Sequence, residues 1–486
     1  MKVKRKYAHI RLVAALVIVA VLFSFTACGA KEDPKMNSFI PETEPAEPRE
    51  TETVPERTKP AWYDEVMGEE DDEDEEGEEA YGSFFGKRMK KSLVRVNEKN
   101  LKEPDCMMAD ILAEPAFTVT EVLTMMDSYS FPDRQHYGER TDIDAVRAEI
   151  RAYMNTDVLR EKVTQQADEP CEVRYGILVN NSSVRSFPTE LRAYNDNESQ
   201  AWDMFQESML LYGDGVLVLH ETADGYWSFV QGINYYGWIK TQDIGFCSRN
   251  TYLEYLTQDK FLVRTAVIPN DIAPLNRLGV IIPYTKKDEN GTSYSVLLPA
   301  RTEDGSLVIE ERIVSGEDLS DRYHDGFMDY SEENVVSLAR SLIDVPYGYG
   351  DLHSNYDCSS FVSLTYRVFG IFMPRNCSGI CRAKGLHIEN VTNMSDTDKE
   401  ALIMEHPGAI VYFPGHVMIS TGKTNSTSGT RAGIVHCNTS YYSEGDGDPS
   451  HLVTTEKVTE NMIALIHSGS GRTFLTKAEA VIWYDR

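Results

Sequence analysis

Three side chains capable of acyl-transfer chemistry follow one another in the last third of the chain, namely Cys358, His416 and His436. A cysteine thiolate paired with an imidazolium is a nucleophile that can attack an amide carbonyl. One histidine can take the thiol proton and later protonate the leaving amine, while the second histidine orients the first. The residue types therefore indicate covalent catalysis by a thiol.

The sequence around these residues predicts the elements that position them. After Asp357 the apolar residues recur with a period near 3.6, which predicts a helix with Asp357 as N-cap and Cys358 in its first turn. The helix dipole and a nearby imidazolium are both expected to lower the pKa of this thiol. His416 opens one predicted strand and His436 lies in another, so neighbouring strands can bring both rings to one face.

Each of the three residues also has an ordinary structural explanation. A cysteine before a helix is usually a small buried side chain, and a histidine on a strand is usually structural. The joint occurrence of all three on suitable elements favours catalysis. Cys437 follows His436 and points to the other face of a strand, so it is expected to belong to the core or to a disulfide.

The chain divides into six parts by composition and pattern: 1–28 a targeting segment, 29–91 an acidic tether, 92–169 a helical segment, 170–250 and 251–325 two β-rich modules, and 326–486 the part that carries the chemistry. Short strands separated by Asp-Gly turns predict a small barrel in the first module. The second module also contains short strands and an Asp-Gly turn, which predict a second small barrel. Trp227 and Trp238 of the first module either line a groove or fill the core.

The N-terminus predicts a lipid anchor. A basic start and an apolar run from Leu12 to Phe25 precede Thr26-Ala27-Cys28, which resembles a bacterial lipobox. The alternative is a single membrane-spanning anchor, but the apolar run is short for the ~20 residues that a span needs. We therefore expect Cys28 to be lipidated and the protein to sit on the extracytoplasmic face of the cell membrane.

Net charge and cysteine count limit the partners and the disulfides. The formal net charge is -29, and much of the excess lies in an acidic run within the tether. An acidic chain lacks the basic surface that holds a polyphosphate, so we expect no nucleic acid partner. The chain has 8 Cys; with Cys28 lipidated, an odd number remains and one thiol is left unpaired.

The last third of the chain resembles the NlpC/P60 peptidase family. The similarity rests on Tyr347-Gly348-Tyr349-Gly350, on Asp357-Cys358-Ser359, on the stretch from Phe369 to Arg375, and on Gly415-His416-Val417. The upstream motifs Asp224-Gly225-Tyr226-Trp227 and Gly237-Trp238-Ile239 resemble bacterial SH3-type domains. The resemblance implies an α+β fold: a papain-like NlpC/P60 catalytic domain, preceded by two small SH3-like β-barrels and a short helical N-terminal segment.

The resemblance also implies roles for individual residues. Cys358 is expected to be the nucleophile, His416 the base, His436 the third polar residue and Tyr347 a stabiliser of the oxyanion. Asp357 and Ser359 are expected to contact substrate. The implied reaction is hydrolysis of the γ-D-glutamyl–diamino acid bond of peptidoglycan stem peptides, with no metal needed. We expect a monomer that uses no cofactor. In SH3-containing members, the SH3-type wall favours stem peptides with a free N-terminal L-alanine.

Some positions depart from the family pattern, and two other functions stay open. Tyr349 replaces the commoner Trp, Asp351 the commoner Gly, and Ser378 and Cys381 stand where Ser and Gln are frequent. The alternatives are a catalytically weak lipoprotein that binds the wall through its SH3-like modules, and transfer of the acyl group instead of hydrolysis.

Overall fold

The computed structural model describes residues 90–102, 107–166, 169–268, 274–426, 429–443, 451–469 and 471–485. All of them belong to one compact unit, Glu76–Arg486. The predicted targeting segment, Cys28 and all but the last two residues of the predicted tether lie outside the described residues. Within the described ranges, no helix has the length and apolar character needed to cross a membrane.

The first described segment is helical, as its apolar spacing predicts. It contains α1 (Lys91–Leu101), α2 (Val119–Asp127), α3 (Ile143–Tyr153) and α4 (Asp157–Gln165), with a short strand β1 (His136–Tyr137) that pairs with β4 (Ala193–Tyr194). Helix α1 packs against the chain that follows the cysteine-bearing helix. The Asn97 amide donates to the Gly370 carbonyl at 2.8 Å, and the Asn100 amide donates to the Phe372 carbonyl at 2.9 Å.

The next segment forms an antiparallel sheet with the order β5-β3-β8-β7-β6-β2-β9. Its strands are β2 (Arg174–Leu178), β3 (Ser182–Arg185), β5 (Gln206–Leu210), β6 (Gly215–Glu221), β7 (Trp227–Gln231), β8 (Tyr236–Lys240) and β9 (Ile244–Cys247). Trp227 and Trp238 are 3% and 0% exposed, so both tryptophans fill the core and neither lines a groove.

A second antiparallel sheet follows, with the order β13-β12-β11-β10-β14. Helix α5 (Arg249–Leu256) leads into it and crosses the predicted module boundary at residue 250. The sheet contains β10 (Phe261–Arg264), β11 (Ile281–Lys287), β12 (Ser293–Arg301), β13 (Leu307–Ser315) and β14 (Tyr323–Asp325), with α6 (Gly316–Ser320) before the last strand. The SH3-like identity of this sheet stays a prediction.

The C-terminal segment is a sheet covered by helices, as expected for an α+β fold. Its strand order is β15-β21-β16-β17-β18-β19, and β20 pairs with β18. The strands are β15 (His387–Asn390), β16 (Ile410–Phe413), β17 (His416–Ser426), β18 (Gly429–Ser443), β19 (His451–Met462), β20 (Ile466–His467) and β21 (Ala480–Trp483). The helices are α7 (Glu332–Ser341), α8 (Cys358–Arg367), α9 (Cys377–Ile380), α10 (Asp396–Glu405) and α11 (Phe474–Lys477). Helix α8 packs against β17 and β18, which bear the two histidines.

Candidate active site

Cys358 is the first residue of helix α8, as the sequence predicts. Asp357 is the N-cap, and its carboxylate accepts from the Ser360 amide at 2.8 Å. The Ser360 hydroxyl accepts in turn from the Asp357 amide at 3.0 Å, which completes a capping box. Phe361, Val362 and Tyr366 are fully buried and hold the helix against the sheet. The thiol is therefore fixed at the start of a rigid, capped helix.

The two predicted histidines meet on adjacent strands beside this thiol. His416 begins β17, His436 lies in β18, and their Nε2 and Nδ1 atoms are 3.1 Å apart. The His416 ring is close enough to the Cys358 thiol to act on its pKa, which it lowers. Phe474 packs edge-on against both rings, at centroid distances of 5.7 and 5.8 Å. The structure thus brings Cys358, His416 and His436 together.

Asn461 on β19 extends this chain of contacts and was not identified from the sequence. Its amide nitrogen lies 3.1 Å from His436 Nε2 and 3.0 Å from the Thr459 hydroxyl. A half-turn of the amide would present the oxygen instead, so Asn461 can serve either tautomer of His436. Only the pairing of β19 with β18 gives Asn461 this position, because it stands opposite Ile434 in that ladder.

Burial and neighbouring groups assign different charge states to the site residues. Burial, together with His416, holds the pKa of His436 well below its usual value, so His436 is neutral. The pKa of Cys358 is raised, first by the hydrogen bond to the Cys377 thiol and then by burial, although His416 acts to lower it. The expectation of a depressed thiol pKa is therefore wrong for the free protein, because Cys377 and burial outweigh the imidazole.

Tyr347 interacts electrostatically with Cys358, and its role at the oxyanion stays a prediction. Its side chain is buried, and burial and the nearby Cys358 raise its pKa well above the ordinary value. A phenol with a raised pKa keeps its proton and remains a hydrogen-bond donor. This suits a group that stabilises an oxyanion beside the sulfur.

Asp357 and Ser359, which flank the nucleophile, face an internal arginine. The Arg375 guanidinium donates to the two Asp357 oxygens at 3.0 and 2.7 Å and to the Ser359 hydroxyl at 2.6 Å. All three side chains are buried. The hydrogen bonds from Arg375 fix the first turn of α8. A contact of Asp357 or Ser359 with substrate stays a prediction.

A second buried arginine joins this network from the linker before β11. Arg277 pairs with Asp351 at 3.0 Å, Asp351 pairs with Arg375 at 2.9 Å, and the Arg277 guanidinium also lies 4.1 Å from the ring centre of Tyr356. Asp351 has a φ of 66°, in the left-handed region that favours glycine. The two ion pairs hold the Asp351 side chain in place despite this backbone conformation.

We predict that Arg277→Met lowers the free energy of unfolding by about 3–5 kcal/mol, because it removes one partner of a buried charge pair. The control is Arg340→Met, which removes a 2.6 Å ion pair with Glu460 at the surface, where the arginine side chain is 45% exposed. That loss is expected to stay below about 1 kcal/mol. Urea denaturation measures both, and equal losses in the two variants would contradict the structural role given to Arg277.

The first β-rich module forms one wall of the site. The ring of Trp202 stacks on Tyr349 at 5.1 Å and lies 5.9 Å from Tyr347. The Gln206 amide, at the start of β5, donates to the Gly350 carbonyl at 2.8 Å. The loop that leads to the nucleophile is therefore held directly by this module.

Glu207 supplies a carboxyl group on the same wall. It is half-buried, its carboxylate accepts from the Tyr235 hydroxyl at 2.8 Å, and burial raises its pKa to about 7. Asn376, the exposed residue that precedes Cys377, lies close enough to Tyr235 to counteract in part the rise in its pKa that burial causes. Sequence reasoning missed Glu207, because its neighbours come from three separate stretches of the chain.

A capped helix bearing a thiol, packed on an antiparallel sheet bearing its histidines, defines the papain-like α+β class of thiol peptidase folds. Residues 192–240 match the SH3 domain family of the SH3b1 type. The whole fold is similar to an NlpC/P60 endopeptidase from Photobacterium damselae subsp. piscicida, with a TM-score of 0.60 and 17% identity over 82% of this chain and 93% of that chain. The chain therefore has the fold of NlpC/P60 endopeptidases with a bacterial SH3 domain.

A second solved structure, an NlpC/P60 family protein from Bacillus cereus ATCC 10987, aligns with a TM-score of 0.39 and 14% identity over 63% of this chain and 98% of that chain. None of the curated proteins matches the chain by sequence.

Proposed function

We propose that this protein is a cysteine endopeptidase that hydrolyses the γ-D-glutamyl–diamino acid bond of peptidoglycan stem peptides. The observation that carries the proposal is the juxtaposition of three side chains: His416 interacts electrostatically with the Cys358 thiol, and its ring lies within hydrogen-bond distance of His436. It provides a nucleophile, a base and a neutral orienting group in one place, within the fold of NlpC/P60 endopeptidases.

The proposed reaction uses these residues in two stages. His416 takes the thiol proton as the sulfur of Cys358 attacks the carbonyl carbon, and the oxyanion is stabilised by Tyr347 and by backbone N–H groups at the start of α8. The protonated His416 then gives its proton to the leaving amine of the diamino acid. Water, activated by the same histidine, hydrolyses the resulting thioester and frees Cys358.

The experiment that tests the reaction is mass spectrometry of digests of L-Ala-γ-D-Glu-diamino acid peptides by the purified protein. We expect L-Ala-γ-D-Glu and a product with the diamino acid at its new amino terminus. Release of L-alanine alone, or the absence of any product from both free peptides and intact sacculi, would refute the assignment of the bond.

We further propose that Glu207 binds the free amino terminus of the substrate. The carboxyl belongs to the first β-rich module, interacts electrostatically with Tyr349 and Arg375, and accepts a hydrogen bond from the Tyr235 hydroxyl. An ammonium group placed there meets a carboxylate in a partly desolvated position, where charge-assisted hydrogen bonds are strong. A carboxylate in this position selects peptides whose amino-terminal residue is an L-alanine with a free amine.

This proposal predicts a pH dependence that only amine-terminated substrates show. The pKa of Glu207 is raised to about 7, so the carboxyl is protonated below this value and negatively charged above it. A peptide ammonium keeps its charge up to about pH 8. KM for a free-amine substrate is therefore expected to fall as the pH rises through about 7, and to rise again as the amine loses its proton.

The variant Glu207→Gln is expected to raise KM for the free-amine substrate about 10-fold at pH 7.5, through loss of one charge-assisted contact. The matched substrate is the N-acetylated peptide, whose KM should be equal for both proteins. A free-amine KM that is the same in the variant and the wild type would count against Glu207.

We also propose that the protein acts at the cell membrane, through a lipid on Cys28 and the acidic tether of residues 29–91. The support is the lipobox-like sequence and the charge of the tether. Radiolabelled palmitate incorporation in wild type, and its loss in Cys28→Ala, tests this part independently of catalysis.

A further inference from the structure

A second thiol lies beside the proposed nucleophile. The Sγ atoms of Cys358 and Cys377 are 3.5 Å apart. Cys377 begins the short helix α9, as Cys358 begins α8, and the two helices pack against each other. The hydrolysis mechanism makes no use of Cys377.

The contact between the two sulfurs is held by the buried network of the site. Arg375, two residues before Cys377, donates to Asp357 and Ser359, the residues on either side of Cys358. The same Arg375 donates through Nε to Ser208 on β5 at 2.9 Å. The backbone that carries Cys377 is thus tied to the start of α8, so the proximity of the thiols is built into the fold.

The other cysteines of this region occupy different surroundings. Cys381 donates to the Ser378 carbonyl at 3.1 Å, and Cys437 is fully buried and donates to the Tyr356 carbonyl at 3.1 Å. Cys358 and Cys377 are both half-buried, which leaves them open to a small oxidant. Among the described residues, Cys358 and Cys377 are the pair in direct sulfur–sulfur contact.

We propose that Cys377 is a resolving cysteine that forms a reversible disulfide with Cys358 when a peroxide oxidises the site. His416 takes the thiol proton as the Cys358 sulfur attacks one peroxide oxygen; an S–O bond forms, the O–O bond breaks, and the leaving hydroxide takes the proton from His416 to become water. Cys377 then attacks the sulfenic sulfur; the S–S bond forms, the S–O bond breaks, and the Cys377 proton leaves with the oxygen as water. The two sulfurs together lose two electrons, and the peroxide gains them.

The movement required is small. A disulfide needs the sulfurs at about 2.05 Å, so they must approach by roughly 1.5 Å from their present 3.5 Å. Helix α9 is a single turn, and its flanking residues Asn376 and Ser378 are exposed. A rotation about the Cys377 side chain or a shift of this turn can close the gap without disturbing α8.

The disulfide would switch the enzyme off and protect it at the same time. The bond removes the nucleophile, but it also stops the sulfenic acid from proceeding to sulfinic acid, which common thiols do not reduce. The inference rests on the proposed function only in taking Cys358 as the reactive thiol. The experiment detects the disulfide itself. A negative result for the disulfide is therefore distinguishable from a failure of the peptidase assignment.

The experiment treats the full-length protein with a small molar excess of hydrogen peroxide and maps the products by non-reducing peptide mass spectrometry. In wild type we expect a Cys358–Cys377 cross-linked peptide that disappears with dithiothreitol, and hydrolysis that returns with the same reductant. In Cys377→Ser we expect Cys358 as sulfinic acid, with a recovery of hydrolysis, relative to its own untreated sample, that is ~10-fold smaller.

The matched control is Cys381→Ser, which changes a half-buried thiol at the C-cap of the same short helix and should behave as wild type. Wild-type protein in which Cys358 becomes sulfinic acid without any cross-linked peptide would overturn the proposal. Equal recovery of Cys377→Ser and wild type would overturn it as well.

Discussion

Replacing Cys358 with alanine is expected to lower kcat/KM for stem-peptide hydrolysis by about 10⁴-fold or more, because the covalent route disappears. The half-buried thiol contributes little to packing compared with the capped helix around it, so the fold should persist. Chromatographic quantification of released L-Ala-γ-D-Glu, together with circular dichroism of the variant, measures both expectations.

The control for this variant is Cys381→Ala, which removes the thiol of the residue that follows helix α9 and leaves the contacts of Cys358 in place. Its activity should stay within a few-fold of wild type. Hydrolysis by Cys358→Ala at the wild-type rate would show that another group is the nucleophile.

The second large effect is expected for His416→Gln, which should lower kcat by about 10²- to 10⁴-fold. Glutamine can keep a hydrogen bond to His436, but it cannot accept the thiol proton or return it to the leaving amine. The variant also loses the influence of His416 that lowers the pKa of Cys358. The pKa of the thiol should therefore rise further.

Two measurements on this variant separate a catalytic from a structural defect. Alkylation of Cys358 by iodoacetamide at neutral pH should be slower than in wild type, while the thermal unfolding midpoint should change little. His387→Gln, at a half-exposed site on β15, serves as the histidine control. An unchanged alkylation rate in His416→Gln would mean that the imidazole does not act on the thiol.

The local elements of the site could be predicted because their signals are short in sequence. Asp357 and Ser360 form the cap that places Cys358 at a helix start, and the period of 3.6 sets the buried face. A turn before His416 marks the start of β17. Each of these features depends on neighbours within a few residues, which is the range over which capping and periodicity act.

The contacts that tune the site could not be predicted, because they join distant parts of the chain. Arg277 is 74 residues from Asp351 in the sequence, yet the two side chains form an ion pair. Cys377 contacts Cys358 because the chain reverses direction between helices α8 and α9. The direction of the Cys358 pKa follows from that second thiol, so the sequence-based expectation was wrong. Asn461 and Glu207 likewise have no local motif that marks them.

The β-rich part of the chain could be predicted only in part: its strands follow from the sequence, but the positions of its aromatic side chains do not. Alternation and Asp-Gly turns correctly predicted the strands around Trp227 and Trp238, but they left open whether the indoles face a groove. The structure buries both in the core, and the wall of the site is formed instead by Trp202, in a loop without strand periodicity. Loops owe their positions to tertiary contacts, which sequence periods do not encode.

The central claim, that Cys358 attacks the glutamyl carbonyl, is tested most directly with an L-Ala-γ-D-Glu chloromethyl ketone and intact-protein mass spectrometry. One equivalent of reagent should attach to Cys358, abolish hydrolysis in proportion to labelling, and be blocked by excess stem peptide. Labelling of a different residue, or hydrolysis that continues after Cys358 is fully labelled, would contradict the account.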